Sequence, residues 1–303
     1  MPLSPLTGDQ LRLRLSYRPP IDLAGLIAFL GRRTVAGVEE VLADGTYRRS
    51  IALPHGPGVI ELRPGRGFVD AAFRLHDISD LVLAAHRCRA LLDLDRDPRP
   101  VIEALSADAI LGTLVRAVPG RRVPGHVDGG ELAVRAVLGQ QVSVAAARTL
   151  TARLVAAHGE ELEEPVGAVT HLFPTPALLA VADPAALPMP AARARALVGL
   201  ARALATGEPR LDGSADGAST EQALLALPGI GPWTVAYIAM RLGDGDAFLP
   251  TDLGVRRGLE ALGHDGRPGA ALALAEHWRP YRAYAVAHLW ATAAAAPIPA
   301  HAA

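Results

Sequence analysis

Apolar positions follow two rhythms along this chain. Leu11, Leu13 and Leu15 alternate with Arg12 and Arg14, the period of a strand with one buried face. Residues 47–53 and 58–62 predict two more short strands on either side of the turn Pro54-His55-Gly56-Pro57, and residues 67–75 alternate again. Residues 21–30, with Asp22 near the start, and residues 78–92, opened by Ser79 or Asp80, carry helical spacing instead. Strand, helix, several strands and helix predict a small α+β domain over residues 1–95, followed by a charged, proline-containing hinge at 95–100. From Val101 the helical period holds almost throughout, which predicts a mainly helical region over residues 96–295 and a frayed, disordered tail over 296–303.

Within that region residues 131–157 read as one long amphipathic helical stretch containing Leu138-Gly139-Gln140-Gln141-Val142-Ser143. Residues 193–205 form a helix with Arg193, Arg195 and Arg202 on its outer face, and 207–217 a loop. Arg121-Arg122 lies in a predicted surface loop that suits a phosphate neighbour and a solvated turn equally. The densest signal is residues 224–257. An apolar helical run ends at Leu227, and Pro228-Gly229-Ile230-Gly231 makes a tight turn whose glycines permit positive φ and close backbone approach. Pro232 stands where a second helix begins and proline is best tolerated, and that helix carries Trp233 and Tyr237. The order is a helix-hairpin-helix, and its exposed N–H groups at a helix N-terminus suit a phosphate; the candidate donors are Gly229, Gly231 and Trp233. Asp252 follows nineteen residues after Trp233, just before another helical pattern, where a carboxylate serves as a cap or as a reactive group.

Composition changes this picture in three places. The thirty Lys and Arg positions are all arginine, so a lysine Schiff base is closed to this chain. The single cysteine, Cys88, excludes a disulfide framework and a four-cysteine iron–sulfur cluster. A net charge of −1 gives no support to nucleic-acid binding, which must rest on local geometry. No run of apolar residues is long enough to span a membrane, and Arg12, Arg14 and Arg18 interrupt any signal peptide, so a cytoplasmic protein is expected.

A phosphate-gripping hairpin followed at this distance by a lone carboxylate resembles the helix-hairpin-helix DNA glycosylases with a Gly/Pro-rich loop and Asp, the HhH-GPD superfamily. Within it the chain is most similar to the AlkA-type 3-methyladenine DNA glycosylases, from about Leu11 to Trp290. The resemblance implies a mainly α fold: a TATA-binding-protein-like N-terminal α+β domain, then a helical glycosylase core of two lobes with the active-site cleft between them. It implies Asp252 as the catalytic carboxylate and Trp233, Tyr237, Trp290 and Phe29 as the base pocket, although Phe29 reads equally as plain core. It places Gly229, Gly231, Thr234, Gln140 and Gln141 at the DNA; the segment Leu138 to Ser143 corresponds to one that breaks the helix in such enzymes, with Gln141 filling the gap left by the flipped nucleotide. It also implies a monovalent cation, Na+ or K+, on the backbone carbonyls of Leu225, Leu227 and Ile230, and no required cofactor. Trp278 and Tyr281 read as structural, near the pocket wall.

Relatives that also cut the strand carry their lysine nucleophile at position 233, here Trp233. The resemblance therefore implies a monofunctional enzyme without lyase activity. An aromatic face attracts a cation, and a cationic purine is already a good leaving group, so one carboxylate without a paired general acid is enough. The expected activity is excision of alkylated purines such as 3-methyladenine and 7-methylguanine from double-stranded DNA in base excision repair, by a monomer in the bacterial nucleoid. A glycosylase for deaminated purines, and a non-catalytic helix-hairpin-helix protein that binds damaged DNA, are the alternatives.

Overall fold

The structure, a computed structural model, describes residues 10–212 and 216–295; the expected tail at 296–303 and part of the 207–217 loop lie outside the described residues. The N-terminal part contains β1 (Leu11–Ser16), α1 (Leu23–Gly31), β2 (Glu39–Val41), β3 (Tyr47–Leu53), β4 (Gly56–Pro64), β5 (Phe68–Leu75) and α2 (Leu81–Leu91), the last preceded by a 3-10 turn, Ile78–Asp80. The five strands form one antiparallel sheet in the order β1-β5-β4-β3-β2. Asp22 starts α1 by accepting the Gly25 N–H at 2.8 Å. Leu26, Ile27, Phe29 and Leu30 then turn inward against Tyr47, Ile60, Leu62 and Phe73 of the sheet. The cap before α2 is Asp77, not Ser79 or Asp80: Asp77 accepts the Ser79 N–H at 2.8 Å, while the Asp80 carboxylate is buried and accepts the His55 N–H.

The rest is helical: α3 (Arg99–Ser106), α4 (Gly112–Ala117), α5 (Gly129–Leu138), α6 (Val144–His158), α7 (Pro176–Ala180), α8 (Ala191–Ala205), α9 (Gly217–Leu225), α10 (Pro232–Leu242), α11 (Leu253–Ala261), α12 (Pro268–Ala275) and α13 (Arg282–Ala295). It holds two cores. One gathers Leu132, Val137, Leu154, Leu197, Leu224 and Ile238 from α5 to α10. The other is discontinuous in sequence and joins Val101, Leu105 and Val115 to Leu249, Leu259, Trp278 and Leu289. Helix α10 is shared: Val235 and Ile238 face the first core, Met240 the second, and Tyr237 touches both. One helix thus carries its side chains into the seam between two lobes. None of the helices among the described residues is long and apolar enough to cross a membrane.

Three expectations need correction. The 131–157 stretch, one helical run by its local pattern, is two helices, broken at residues 139–143 as the resemblance implied; there Gln141 has φ 54° and Ser143 restarts the helix by accepting the Ala146 N–H. The helical region also contains a two-stranded hairpin, β6 (Glu161–Val166) and β7 (Val169–His171). Its Leu162, Val166 and Val169 cover Val59 of the N-terminal sheet, and that burial outweighs the strand's poor local pattern. Finally, Arg122 is no surface cation. It is 2% exposed, and its guanidinium donates to the carbonyls of Arg18, Pro20 (3.0 Å), Asp93 (3.1 Å) and Arg96 (2.7 Å), stapling the hinge to the start of the chain.

Candidate active site

The site is assembled where three cores meet. Pro232 opens α10 and Gly231 precedes it with no capping side chain. Trp233 and Tyr237, one helical turn apart, stack with centroids 5.3 Å apart and planes at 14°. From α13 comes Trp290, 6.3 Å from Tyr237, and from α1 comes Phe29, stacked on Trp290 at 5.8 Å. Phe29 is 8% exposed and belongs to the N-terminal core as well, so the two readings of it hold together.

Asp252 caps α11, and the cap fixes its carboxylate. Oδ1 accepts the Val255 N–H at 2.9 Å and the Trp290 Nε1–H at 2.7 Å; Oδ2 accepts the Trp233 Nε1–H at 3.0 Å. Two indoles from different helices therefore hold one half-exposed carboxylate in place. Gly254 makes room for this: a Cβ there would lie 2.6 Å from Trp290 Cδ1 and 3.0 Å from Asp252 Oδ1.

Sequence reasoning missed Arg33 and Arg241. The Arg33 guanidinium lies 3.7 Å from the Phe29 centroid and 5.9 Å from that of Trp290; that of Arg241 lies 5.6 Å from both Phe29 and Tyr237. Each arginine follows an aromatic residue of the slot by four positions, a spacing that could have flagged it. Burial pushes Arg33 down to about 10, still protonated at neutral pH. Burial alone would raise the Tyr237 phenol, but Arg241 and Arg33 outweigh it and the group lies below its ordinary value. The protein's own cations thus already lie over ring faces of the slot.

At the hairpin, Gly229 has φ 85° and Gly231 does not; Gly231 is extended, with φ −106° and ψ 172°. Among the described residues the backbone N–H groups of Gly229, Gly231 and Trp233 find no acceptor. The side chains of Gln140 and Thr234, expected at the DNA, are tied to each other: Gln140 Nε2 donates to Thr234 Oγ1 (2.8 Å) and to the Gly229 carbonyl (3.0 Å). Arg193 donates to the Gln140 carbonyl at 2.7 Å, so it faces the break between α5 and α6 rather than bulk solvent. Gln141 itself is exposed. Trp278 is core, 1% exposed and edge-on to Phe248.

Comparison with known proteins gives a consistent picture. Residues 12–128 match the AlkA N-terminal domain, and residues 134–282 match the HhH-GPD superfamily base excision DNA repair protein family. DNA-3-methyladenine glycosylase 2 of Escherichia coli is 37% identical over 286 residues, covering 92% of this chain and 96% of that protein. The chain belongs to the HhH-GPD superfamily. Another superfamily relative, the probable bifunctional transcriptional activator/DNA repair enzyme AlkA of Mycobacterium tuberculosis, is 46% identical over 94% of this chain, which spans 58% of that relative's length. Among solved structures, the 3-methyladenine DNA glycosylase of Archaeoglobus fulgidus shares the fold, with a TM-score of 0.79 at 19% identity, covering 94% of this chain and 98% of that one. At the hairpin the carbonyls of Leu225 and Ile230 receive no N–H among the described residues, and that of Leu227 accepts only from Ile230.

Proposed function

We propose that the chain is a monofunctional DNA glycosylase that hydrolyses the N-glycosidic bond of alkylated purines in double-stranded DNA. The observation that carries this reading is the Asp252 carboxylate clamped by the indole N–H groups of Trp233 and Trp290 beside an aromatic slot. As the bond from C1′ to the base breaks, its electron pair leaves with the base and positive charge builds on the sugar. A carboxylate already fixed beside that carbon stabilises the charge without reorganising. Water then bonds to C1′ and gives up a proton, for which Asp252 is the nearest acceptor. With no lysine in the chain, no side-chain imine forms, so the strand is left uncut.

The free N–H groups of Gly229, Gly231 and Trp233 grip a DNA phosphate, and Gln141, held out at positive φ, fills the space left by the flipped nucleotide. Leu225, Leu227 and Ile230 would hold a monovalent cation, which adds positive charge beside that phosphate and takes no part in bond cleavage. The protein acts as a monomer in this reading.

Release of 3-methyladenine from methylated duplex DNA tests it. The wild type is expected to release the base and Asp252→Asn to lose activity by about 100- to 1000-fold, the loss typical of one preorganised electrostatic group. Equal release by both would remove Asp252 from its role. Tight binding to an abasic-site analogue without release of any base would favour the non-catalytic reading. Borohydride should trap no covalent DNA adduct.

A further inference from the structure

The rings of the slot pack on one another, and Arg33 lies over the Phe29 ring. A base sandwiched between two rings needs faces about 7 Å apart, twice the ~3.5 Å contact distance of carbon atoms. The pairs Phe29–Trp290, Trp233–Tyr237 and Tyr237–Trp290 lie between 5.3 and 6.3 Å apart, so no base enters between the partners of these three pairs as they stand. Something must move, and the two arginines differ in how firmly they are held. Arg241 is 8% exposed and donates to the Tyr237 hydroxyl at 2.6 Å and twice to the Gly125 carbonyl, at 3.1 and 2.5 Å. The Arg33 side chain makes one long hydrogen bond, Nη1 to the Phe29 carbonyl at 3.3 Å. Its backbone, by contrast, is fixed: Arg135 donates to the Arg33 carbonyl at 2.7 Å, and the Arg33 N–H reaches the Leu30 carbonyl at 2.8 Å. The weak point is therefore a single side chain on a fixed pivot.

We propose that Arg33 is the gate of the base slot and sets its preference between charged and neutral lesions. Its guanidinium covers the Phe29 face and must rotate off to admit a base. Its backbone cannot follow, so the charge remains at the rim. There it competes with a cationic base for the same ring faces and repels it, while a neutral purine of similar shape meets no such repulsion. Burial, with Arg241 and Arg32 nearby, outweighs the opposing pull of Tyr237 and Asp252 and holds Arg33 below the ordinary arginine range. The inference rests on the slot being the base pocket.

Two probes separate the terms: duplex containing 7-methylguanine, a cationic lesion, and duplex containing 1,N6-ethenoadenine, a neutral and fluorescent one. Base release is followed for both, and quenching of ethenoadenine reports entry into the slot even where release is slow. Removing the charge with Arg33→Met should raise 7-methylguanine processing relative to ethenoadenine entry by roughly 3- to 30-fold, the equivalent of a cation–aromatic contact. Arg33→Lys keeps the charge and should leave the ratio within about twofold of wild type. The thermal midpoint of Arg33→Met should stay within a few degrees of wild type, because the side chain makes one weak hydrogen bond and its contact with Phe29 is partly kept by the methionine. The proposal is overturned if Arg33→Met changes both lesions by the same factor, or if Arg33→Lys behaves like Arg33→Met. A wild type that releases no base and quenches no ethenoadenine removes the pocket itself, an outcome distinct from an active wild type whose ratio ignores Arg33.

Discussion

Gly229 and Gly231 look equivalent in sequence and do different things. Gly229 sits at φ 85°, and a Cβ there would lie 2.6 Å from the Cβ of Ala196. Gly231 has an extended backbone that any residue adopts, and a Cβ there would meet nothing within 4 Å. Gly229→Ala should therefore lower stability by about 1–3 kcal/mol through backbone strain and overlap. Gly231→Ala should fold normally and weaken binding to an abasic-site duplex, because the new methyl stands where a phosphate would approach. Denaturant unfolding and a binding titration on both variants check this; normal binding by Gly231→Ala would count against a phosphate at this turn. Asp252, Trp233 and Tyr237 stood out in a short motif and its spacing, whereas Trp290 came only through the family resemblance. Gly254 was not legible, since a glycine inside a helix carries no signal until Trp290, distant in sequence, packs over it.

At the scale of elements, the break between α5 and α6 and the hairpin before α10 form one hydrogen-bonded unit. Gln140 is the link, donating to Gly229 and Thr234, and Arg193 braces its carbonyl. Gln140→Leu leaves the buried Thr234 hydroxyl without its donor and frees the Gly229 carbonyl. A loss of about 1–2 kcal/mol is expected in denaturant unfolding. On the proposed roles, lesion excision in duplex should fall by more than abasic-site binding, because the segment bearing Gln141 loses the Gln140 tie to the hairpin. Parallel losses in both assays would mean that Gln140 supports the hairpin alone. The local pattern hides the break, since apolar residues continue through Leu138 and Val142 and a single glycine is tolerated within a helix; only the family resemblance implied it. The β6–β7 hairpin was hidden for another reason. Glu161-Leu162-Glu163-Glu164-Pro165 has the charge and proline of a loop, and it becomes a strand by docking on residues more than a hundred positions earlier.

Across the whole molecule, the N-terminal domain is bolted to the helical region by buried ions that no local pattern reveals. Glu39 accepts from Tyr47, Arg49 and Arg135, and Glu131 accepts from Arg49 and Arg135. Burial alone would raise the Glu39 carboxyl, but Arg135 and Arg49 outweigh it and hold it down at about 2. A carboxyl lowered on folding stabilises the folded state above its unfolded value and loses that stability as pH falls through its folded one. The bolt should therefore weaken as pH drops from about 4.5 toward 2. Asp93, just before the hinge between the domains, has the opposite sign. Its φ is 51°, its carboxylate accepts the Tyr284 hydroxyl at 2.8 Å, and burial pushes it up to about 6. A carboxyl raised on folding favours the folded state while protonated, so stability should decline as pH rises from about 4 to about 6, by something on the order of 2–3 kcal/mol at most. Asparagine tolerates the left-handed backbone and can still accept from Tyr284, so Asp93→Asn removes the charge and little else. Unfolding free energies between pH 4 and 8 should show the decline in wild type and a flatter profile in Asp93→Asn, with the variant the more stable at pH 7. A variant that keeps the wild-type decline would place the responsible group elsewhere in the interface.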